Sequence, residues 1–254
     1  MSKAEVAVVT GAGSGIGAAI GRELSQRGYA VVFTDIDAER AARSAAGIPH
    51  ASSLRLDVTS PQQCAEVVAE VTGTHHRLDV WVSNAGISKM QPFLEISPED
   101  FERSLRVNTT GVFLASQAAA RYMAANGGGR IVNIASMAAK QGKVPFLADY
   151  VASKFAVLGL TQAMAFELAE VGIRVNSVCP GYVATEMQQR ELAWEAGLRG
   201  TTPEEVREAW IGDTPLGRLE QPEDVARVVA FLCGPDAAFL TGESIAVNGG
   251  AFMD

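Results

Sequence analysis

The sequence predicts an α/β fold, a doubly wound parallel sheet of about seven strands with helices on both faces. Three observations carry this. Short β-branched runs alternate with longer amphipathic stretches, the runs are apolar on both faces, and the glycine-rich or polar motifs follow directly after them. Strands buried on both sides need helices above and below, and ligands in such sheets bind beyond the strands' carboxyl ends.

The runs lie at 6–10, 30–34, 54–57, 78–83, 130–135, 174–179 and 244–247, and helical stretches include 16–27, 61–71, 98–125 and 150–171. No Pro/Gly/Ser-rich linker or charge block divides the 254 residues, so 1–254 reads as a single domain. Apolar residues make up 48% and charged residues 20%, a folded rather than a disordered profile.

Acidic residues outnumber basic ones, 29 to 21, giving a net charge of −8, and Lys and Arg form no cluster. Nucleic acid and anionic membranes are therefore excluded as expected partners. No run of about 18 apolar residues predicts a membrane span, and the short apolar run before Thr10 reads as a strand rather than a leader. Cys64, Cys179 and Cys233 are odd in number and far apart, which suggests neither a disulfide framework nor a zinc site, and a reducing cytoplasm fits. His50, His75 and His76 lack any metal-ligand spacing and read as exposed loop residues, so no metal is expected.

The first strand runs into Thr10-Gly11-Ala12-Gly13-Ser14-Gly15-Ile16-Gly17 and then a helix. Glycines there let backbone approach a pyrophosphate, and the helix N-terminus offers free N–H groups, the Rossmann-type arrangement for a dinucleotide. The same glycines would also serve simple tight packing of strand on helix. No Gly-Lys-Ser/Thr follows, so a P-loop is ruled out. The second strand leads to Asp35, placed to accept from the adenosine ribose and to repel a 2′-phosphate; Ser14, Ile36 and Asp37 supply no cation, which favours NAD over NADP. Asp35 could alternatively cap the next helix. Asp57 and Val58 end the third strand, where a carboxylate suits the adenine amino group, and Asn84, Ala85 and Gly86 end the fourth, where small residues admit the adenosine half.

Tyr150 and Lys154, four apart in a helix, project from one face. A phenol titrates near pH 10, and an adjacent ammonium plus an oxidised nicotinamide would favour the phenolate. Alone, such a pair could equally be a surface feature. Ser136, at the end of the fifth strand, adds a hydroxyl able to bind a substrate oxygen. Asn108, inside the long helix, has an amide that could hold a water near Lys154 or could bond backbone.

Together Thr10 to Gly17, Asn84 to Gly86, Asn108, Ser136, Tyr150 with Lys154, Pro180-Gly181 and Val247-Asn248-Gly249-Gly250 resemble the classical short-chain dehydrogenase/reductase family over nearly the whole chain. The resemblance implies a metal-free hydride transfer between NAD and a secondary alcohol or ketone. Tyr150 would be the general acid/base, Lys154 would lower its pKa and bind the nicotinamide ribose, Ser136 would orient the substrate oxygen, and Asn108 would support a proton relay. Pro180, Gly181, Val183 and Thr185 would hold the nicotinamide. It also implies a homotetramer built on the long helices around Asn108 and Tyr150.

Three departures stand out. Ser83 replaces a more usual Asn, the Ser136-to-Tyr150 spacing is one residue long and predicts a loop bulging over the substrate, and Asp149 precedes Tyr150, where it is read as a helix cap. The substrate pocket is expected from 87–91, 137–147 and a lid at 184–214 carrying Met187, Trp194, Leu198 and Trp210, residues suited to substrate contact or to a satellite core or subunit interface. Ser88, Lys89, Gln91, Gln141 and Lys143 are its polar candidates. The lid pattern and Pro215-Leu216-Gly217-Arg218 are similar to polyol, sugar and acetoin (diol) dehydrogenases of the family, which implies a small polyol, vicinal diol or hydroxyketone. The alternatives are a 3-oxoacyl-thioester reductase, disfavoured by Asp35 and the −8 charge, and a non-catalytic dinucleotide-binding protein, disfavoured by the retained Tyr150 and Lys154.

Overall fold

The computed structural model describes residues 4–253. Strand β1 (Val6–Thr10) leads to helix α1 (Gly15–Gln26), β2 (Ala30–Asp35), α2 (Ala38–Ala45), β3 (Ala51–Arg55), α3 (Pro61–His75) and β4 (Val80–Ser83). Then come α4 (Pro98–Leu105), a π-turn at Arg106–Thr110, α5 (Gly111–Ala125), β5 (Gly129–Ile134), α6 (Ala148–Leu168) and β6 (Ile173–Pro180). Helices α7 (Glu186–Arg199), α8 (Pro203–Gly212) and α9 (Pro222–Cys233) precede the last strand, β7 (Ser244–Val247).

All seven strands are parallel, in the order β3-β2-β1-β4-β5-β6-β7. The pattern of β1 explains the two layers. Ala7 and Val9 face a cluster with Ile20 and Leu24 of α1 and Val225 and Val229 of α9, whereas Val6 and Val8 face Val67 of α3 and Ala115 and Ala119 of α5. Each face thus excludes water through its own helix pair. Prolines at the starts of α3, α4, α8 and α9 fix the helical entry, with Ser60, Ser97 and Thr202 capping the first three.

Two expectations need correction. The third strand runs over Ala51–Arg55 rather than 54–57, because it is a sheet-edge strand paired only to β2, and its half-exposed Ser52 and Ser53 hide it from an apolar search. Asp57 and Val58 consequently lie in the following connection. The stretch 98–125 is not one α-helix but is interrupted at Asn108 by the π-turn.

By length and composition, 148–171 is also long and apolar enough to cross a membrane, which the search for apolar runs did not single out. In the fold this helix packs on β6 and α4 and leaves Phe155 and Phe166 on its outer side. Residues 1–3, part of the segment weighed as a leader, lie outside the described residues.

Candidate active site

The strand order reverses between β1 and β4, and a cleft of about 550 Å³ opens at the carboxyl ends of the strands there. Gly11 stands at φ 61°, and a Cβ on it would fall 2.7 Å from Ala85 Cα; one on Gly17 would fall 2.4 Å from the Gly11 carbonyl oxygen. Only glycine lets this turn close on itself. No side chain caps α1 at Ser14, so the amides of its first turn remain for an anionic ligand group. The cradle fits a dinucleotide pyrophosphate, with Gly11, Ser14, Gly15 and Ile16 on the cleft wall.

Asn84 works on the loop itself. Its Nδ2 donates to the carbonyls of Thr10 (2.9 Å) and Gly11 (3.1 Å), while the Thr10 hydroxyl accepts from the amides of Asn84 (2.9 Å) and Ala85 (3.1 Å). Ser83 pairs with Ser116 of α5 at 3.1 Å. Asp35 accepts from the amides of Gly13 and Asp37, each at 3.0 Å, and Asp37 takes the cap of α2. The capping role therefore falls to Asp37, and Asp35 stays in the cleft. Asp57 also lines it, one oxygen held by the Thr59 amide (2.9 Å) and hydroxyl (2.7 Å), with Val58, Asn84, Ala85 and Gly86 nearby on the same wall. One correction follows for the charges here: Arg40, a turn into α2, brings a cation to this side that 14–37 did not reveal.

At the other end of the cleft Ser136, Tyr150 and Lys154 converge. Burial pushes the Tyr150 phenol well above its usual range, the Glu191 carboxylate pushes it further, and the Ser136 hydroxyl bonded to it works the other way. Lys154 is 4% exposed, and burial lowers its ammonium to about 8. Its Nζ donates to the Ile134 carbonyl at 2.9 Å and stands 5.6 Å from the Tyr150 ring centre. Lys154 thus stands beside the phenol ring with its ammonium bonded to a backbone oxygen. Burial in the cleft favours the neutral phenol of Tyr150.

Asn108 is fully buried. Its Oδ1 accepts from the Ile87 amide (2.8 Å), and its Nδ2 donates to the Ile87 carbonyl (2.9 Å) and to Ser153 Oγ (3.0 Å). The amide thus bonds backbone and Ser153, and its oxygen keeps a second lone pair. A Cβ on Gly86 would lie 3.2 Å from Asn108 Oδ1 and 3.6 Å from Lys154 Nζ, so these two atoms flank one space.

A family model described as Enoyl-(Acyl carrier protein) reductase matches residues 11–251. The chain is 39% identical to the (3R)-3-hydroxyacyl-CoA dehydrogenase of Mus musculus, covering 99% of this chain and 97% of that protein. This chain is a classical short-chain dehydrogenase/reductase. It is also 37% identical to the acetoacetyl-CoA reductase of Shinella zoogloeoides, over 98% of both chains. Among solved structures, the sorbitol-6-phosphate 2-dehydrogenase of Erwinia amylovora shares 36% identity at a TM-score of 0.93, over 98% of this chain and 100% of that one. As a member of this family, the protein is an oxidoreductase of CH–OH groups that uses a nicotinamide dinucleotide.

In this dehydrogenase/reductase Pro180, Gly181, Val183 and Thr185 line the cleft as the family pattern implies. Gly181 is pinned by Glu220, whose carboxylate accepts from its amide at 2.8 Å; burial pushes Glu220 up to about 8. Thr185 caps α7, and a Cβ on Gly15 would fall 3.3 Å from its methyl, so the start of the lid lies close over the glycine loop.

The pocket differs from expectation. No residue of 137–149 lines this cleft; the loop meets the other two expected walls instead, the Gln91 backbone amide donating to the Phe146 carbonyl at 2.8 Å and the Arg199 guanidinium of the lid standing 5.9 Å over the Phe146 ring. Lys89 (2.7 Å) and Gln91 (3.1 Å) donate to Asp100 instead of pointing to substrate. Met187 lines the cleft, but Trp210 is buried and stacks on Tyr182 at 4.9 Å beside Ala196 and Val206, a satellite core. Asp149 caps nothing; it sits inside α6, fully buried, and accepts from Ser104.

Sequence reasoning missed Ser153, Arg40, Glu186, Glu191 and Glu220, and it placed Thr10 in the glycine motif without a role of its own. Ser153 had a signal, lying three residues after Tyr150 on a helix. Arg40 had one too, a single turn into the helix that Asp37 starts. The three glutamates had none: only the folding of 184–220 over the strand ends brings Glu186 and Glu191 to the cleft and Glu220 to the Gly181 amide.

Proposed function

We propose that the chain transfers a hydride between NAD(H) and the 3-position of a 3-hydroxyacyl or 3-oxoacyl thioester of a small carrier such as coenzyme A. The observation that carries this reading is the convergence of Tyr150, Ser136 and Lys154 at one end of a cleft whose other end holds Asp35. The nicotinamide, when bound, supplies or takes the hydride. Tyr150 gives its proton to the developing alkoxide, Ser136 donates to the same oxygen, and Lys154 holds the nicotinamide ribose and restores the Tyr150 proton through a water shared with Asn108. Gly11 to Gly17 hold the pyrophosphate; Asp35 the adenosine ribose; Asp57, Val58 and Asn84 to Gly86 the adenosine half; Pro180, Gly181, Val183 and Thr185 the carboxamide.

The thioester assignment is supported by the two acyl-CoA relatives and replaces the polyol as first choice. The −8 charge without a basic cluster disfavours docking of an acidic carrier protein, so the coenzyme thioester is preferred. A small polyol is the second reading. It is supported by Glu191, a carboxylate able to accept from a substrate hydroxyl beside Tyr150, and by the similarity to the sorbitol-6-phosphate enzyme.

Purified protein is mixed with NADH and acetoacetyl-CoA, or with NAD and a panel of sugar alcohols and vicinal diols, and absorbance of the reduced cofactor is followed. Turnover of the thioester is the expected result. Turnover of polyols alone overturns the substrate assignment and leaves the mechanism standing.

We further propose a cytoplasmic homotetramer without nucleic-acid or membrane partners. Phe101, Phe113, Phe155 and Phe166 project from α4, α5 and α6 with 39, 41, 45 and 87% of their surface exposed, an apolar face suited to a second copy. Cys64 and Cys233 are buried free thiols, which suits a reducing compartment.

A further inference from the structure

The residues lining the cleft include three cations, Arg40, Lys154 and Arg190. Lys154 is committed beside Tyr150, and Arg190 stands on α7 next to Glu191. Arg40 belongs to the adenosine end: a Cβ placed on Gly13 would lie 2.8 Å from Arg40 Cβ and 2.7 Å from Asp35 Oδ2. A guanidinium rooted there is within one side chain's length of any group on the ribose that Asp35 faces. A 2′-phosphate in that place would meet Asp35 as a repulsive charge and Arg40 as an attractive one, through paired charge-assisted hydrogen bonds.

The Arg40 guanidinium is drawn elsewhere. Its Nη2 donates to Glu186 Oε2 at 2.5 Å, joining α2 to the first residue of α7 across the cleft mouth. Glu186 is well placed for the task. It occupies the first turn of α7, where the helix dipole favours a carboxylate, and Thr185 caps the same turn. The pair is partly open to water, at 35 and 63% side-chain exposure, so it contributes little to stability and a competing anion can reach it.

We infer that Glu186 is a cofactor-selecting residue, which by holding Arg40 denies a 2′-phosphate the cation that, among the described residues, is placed to offset Asp35. It acts through Arg40 and needs no contact with the cofactor. The inference rests on the reading that the chain takes NAD. It divides selectivity between a repulsive element on β2 and a sequestering one on the lid.

Equilibrium binding tests this without any substrate. Dissociation constants for NADH and NADPH are measured by fluorescence of the reduced nicotinamide for the wild type, Glu186→Gln and the double variant Glu186→Gln/Arg40→Met. In Glu186→Gln the NADPH affinity relative to NADH should rise roughly tenfold and become more sensitive to salt, as a freed guanidinium meets the phosphate. The double variant should lose both effects. An unchanged NADPH/NADH ratio in Glu186→Gln, or a gain that survives Arg40→Met, overturns the inference. The wild-type ratio judges Asp35 separately: a preference for NADPH sinks the NAD reading, while the change on Glu186→Gln still decides the role of Glu186.

Discussion

Asp149 turns away from Tyr150, its neighbour in sequence, and its carboxylate receives the hydroxyl of Ser104 from α4. Both residues are buried, and the second carboxylate oxygen of Asp149 has no partner. The contact ties the start of α6, and with it the Tyr150 turn, to α4. Ser104→Ala would strand a buried carboxylate and should cost about 1–3 kcal/mol. Denaturant unfolding checks this as a lower midpoint at unchanged slope. An unchanged midpoint would mean that α4 does not anchor this turn.

The carboxylate that opposes the Tyr150 phenolate comes from the lid. Glu191 lies in the same cleft, accepts from Ser88 Oγ at 2.5 Å and raises the Tyr150 pKa. Removing its charge must lower that pKa. Glu191→Gln should move the rising limb of the pH profile for alcohol oxidation down, on the order of half to one pH unit, because the phenolate becomes available earlier. A limb that stays put would detach Glu191 from the reacting group.

Glu220 makes stability depend on pH. Burial pushes its carboxyl from 4.5 up to about 8, so between those values the folded chain keeps a proton that the unfolded chain has released. Its contribution is present below pH 4.5 and is lost as pH rises through about 8, with a slope approaching about 1.4 kcal/mol per pH unit. Glu220→Gln, which can still accept from Gly181, should flatten this fall. Unfolding midpoints measured across that range for both proteins check it, and identical slopes would contradict it.

The sheet was legible because six of its strands interrupt amphipathic helices as apolar runs; Gly11 to Gly17, Asp35 and Ser136 lie at or just after strand ends, and Tyr150 and Lys154 show as a pair one helical turn apart. The edge strand β3 was misplaced because half of it faces water. Asn108 was found as a residue but not as an environment: no helical periodicity announces the π-turn that buries its amide against Ile87. The lid was legible as two helices and no more. Which of its side chains meet the cleft depends on approaches such as Thr185 to Gly15 and Arg40 to Glu186, which bring together residues far apart in sequence and leave no local pattern.

The central claim is that Tyr150 moves the proton that accompanies the hydride. The most direct measurement compares wild type and Tyr150→Phe in NADH-dependent reduction of acetoacetyl-CoA, with NADH binding followed by fluorescence in the same samples. Loss of the hydroxyl alone should lower kcat at least about a hundredfold while NADH still binds. Turnover by Tyr150→Phe at the wild-type rate would contradict the account.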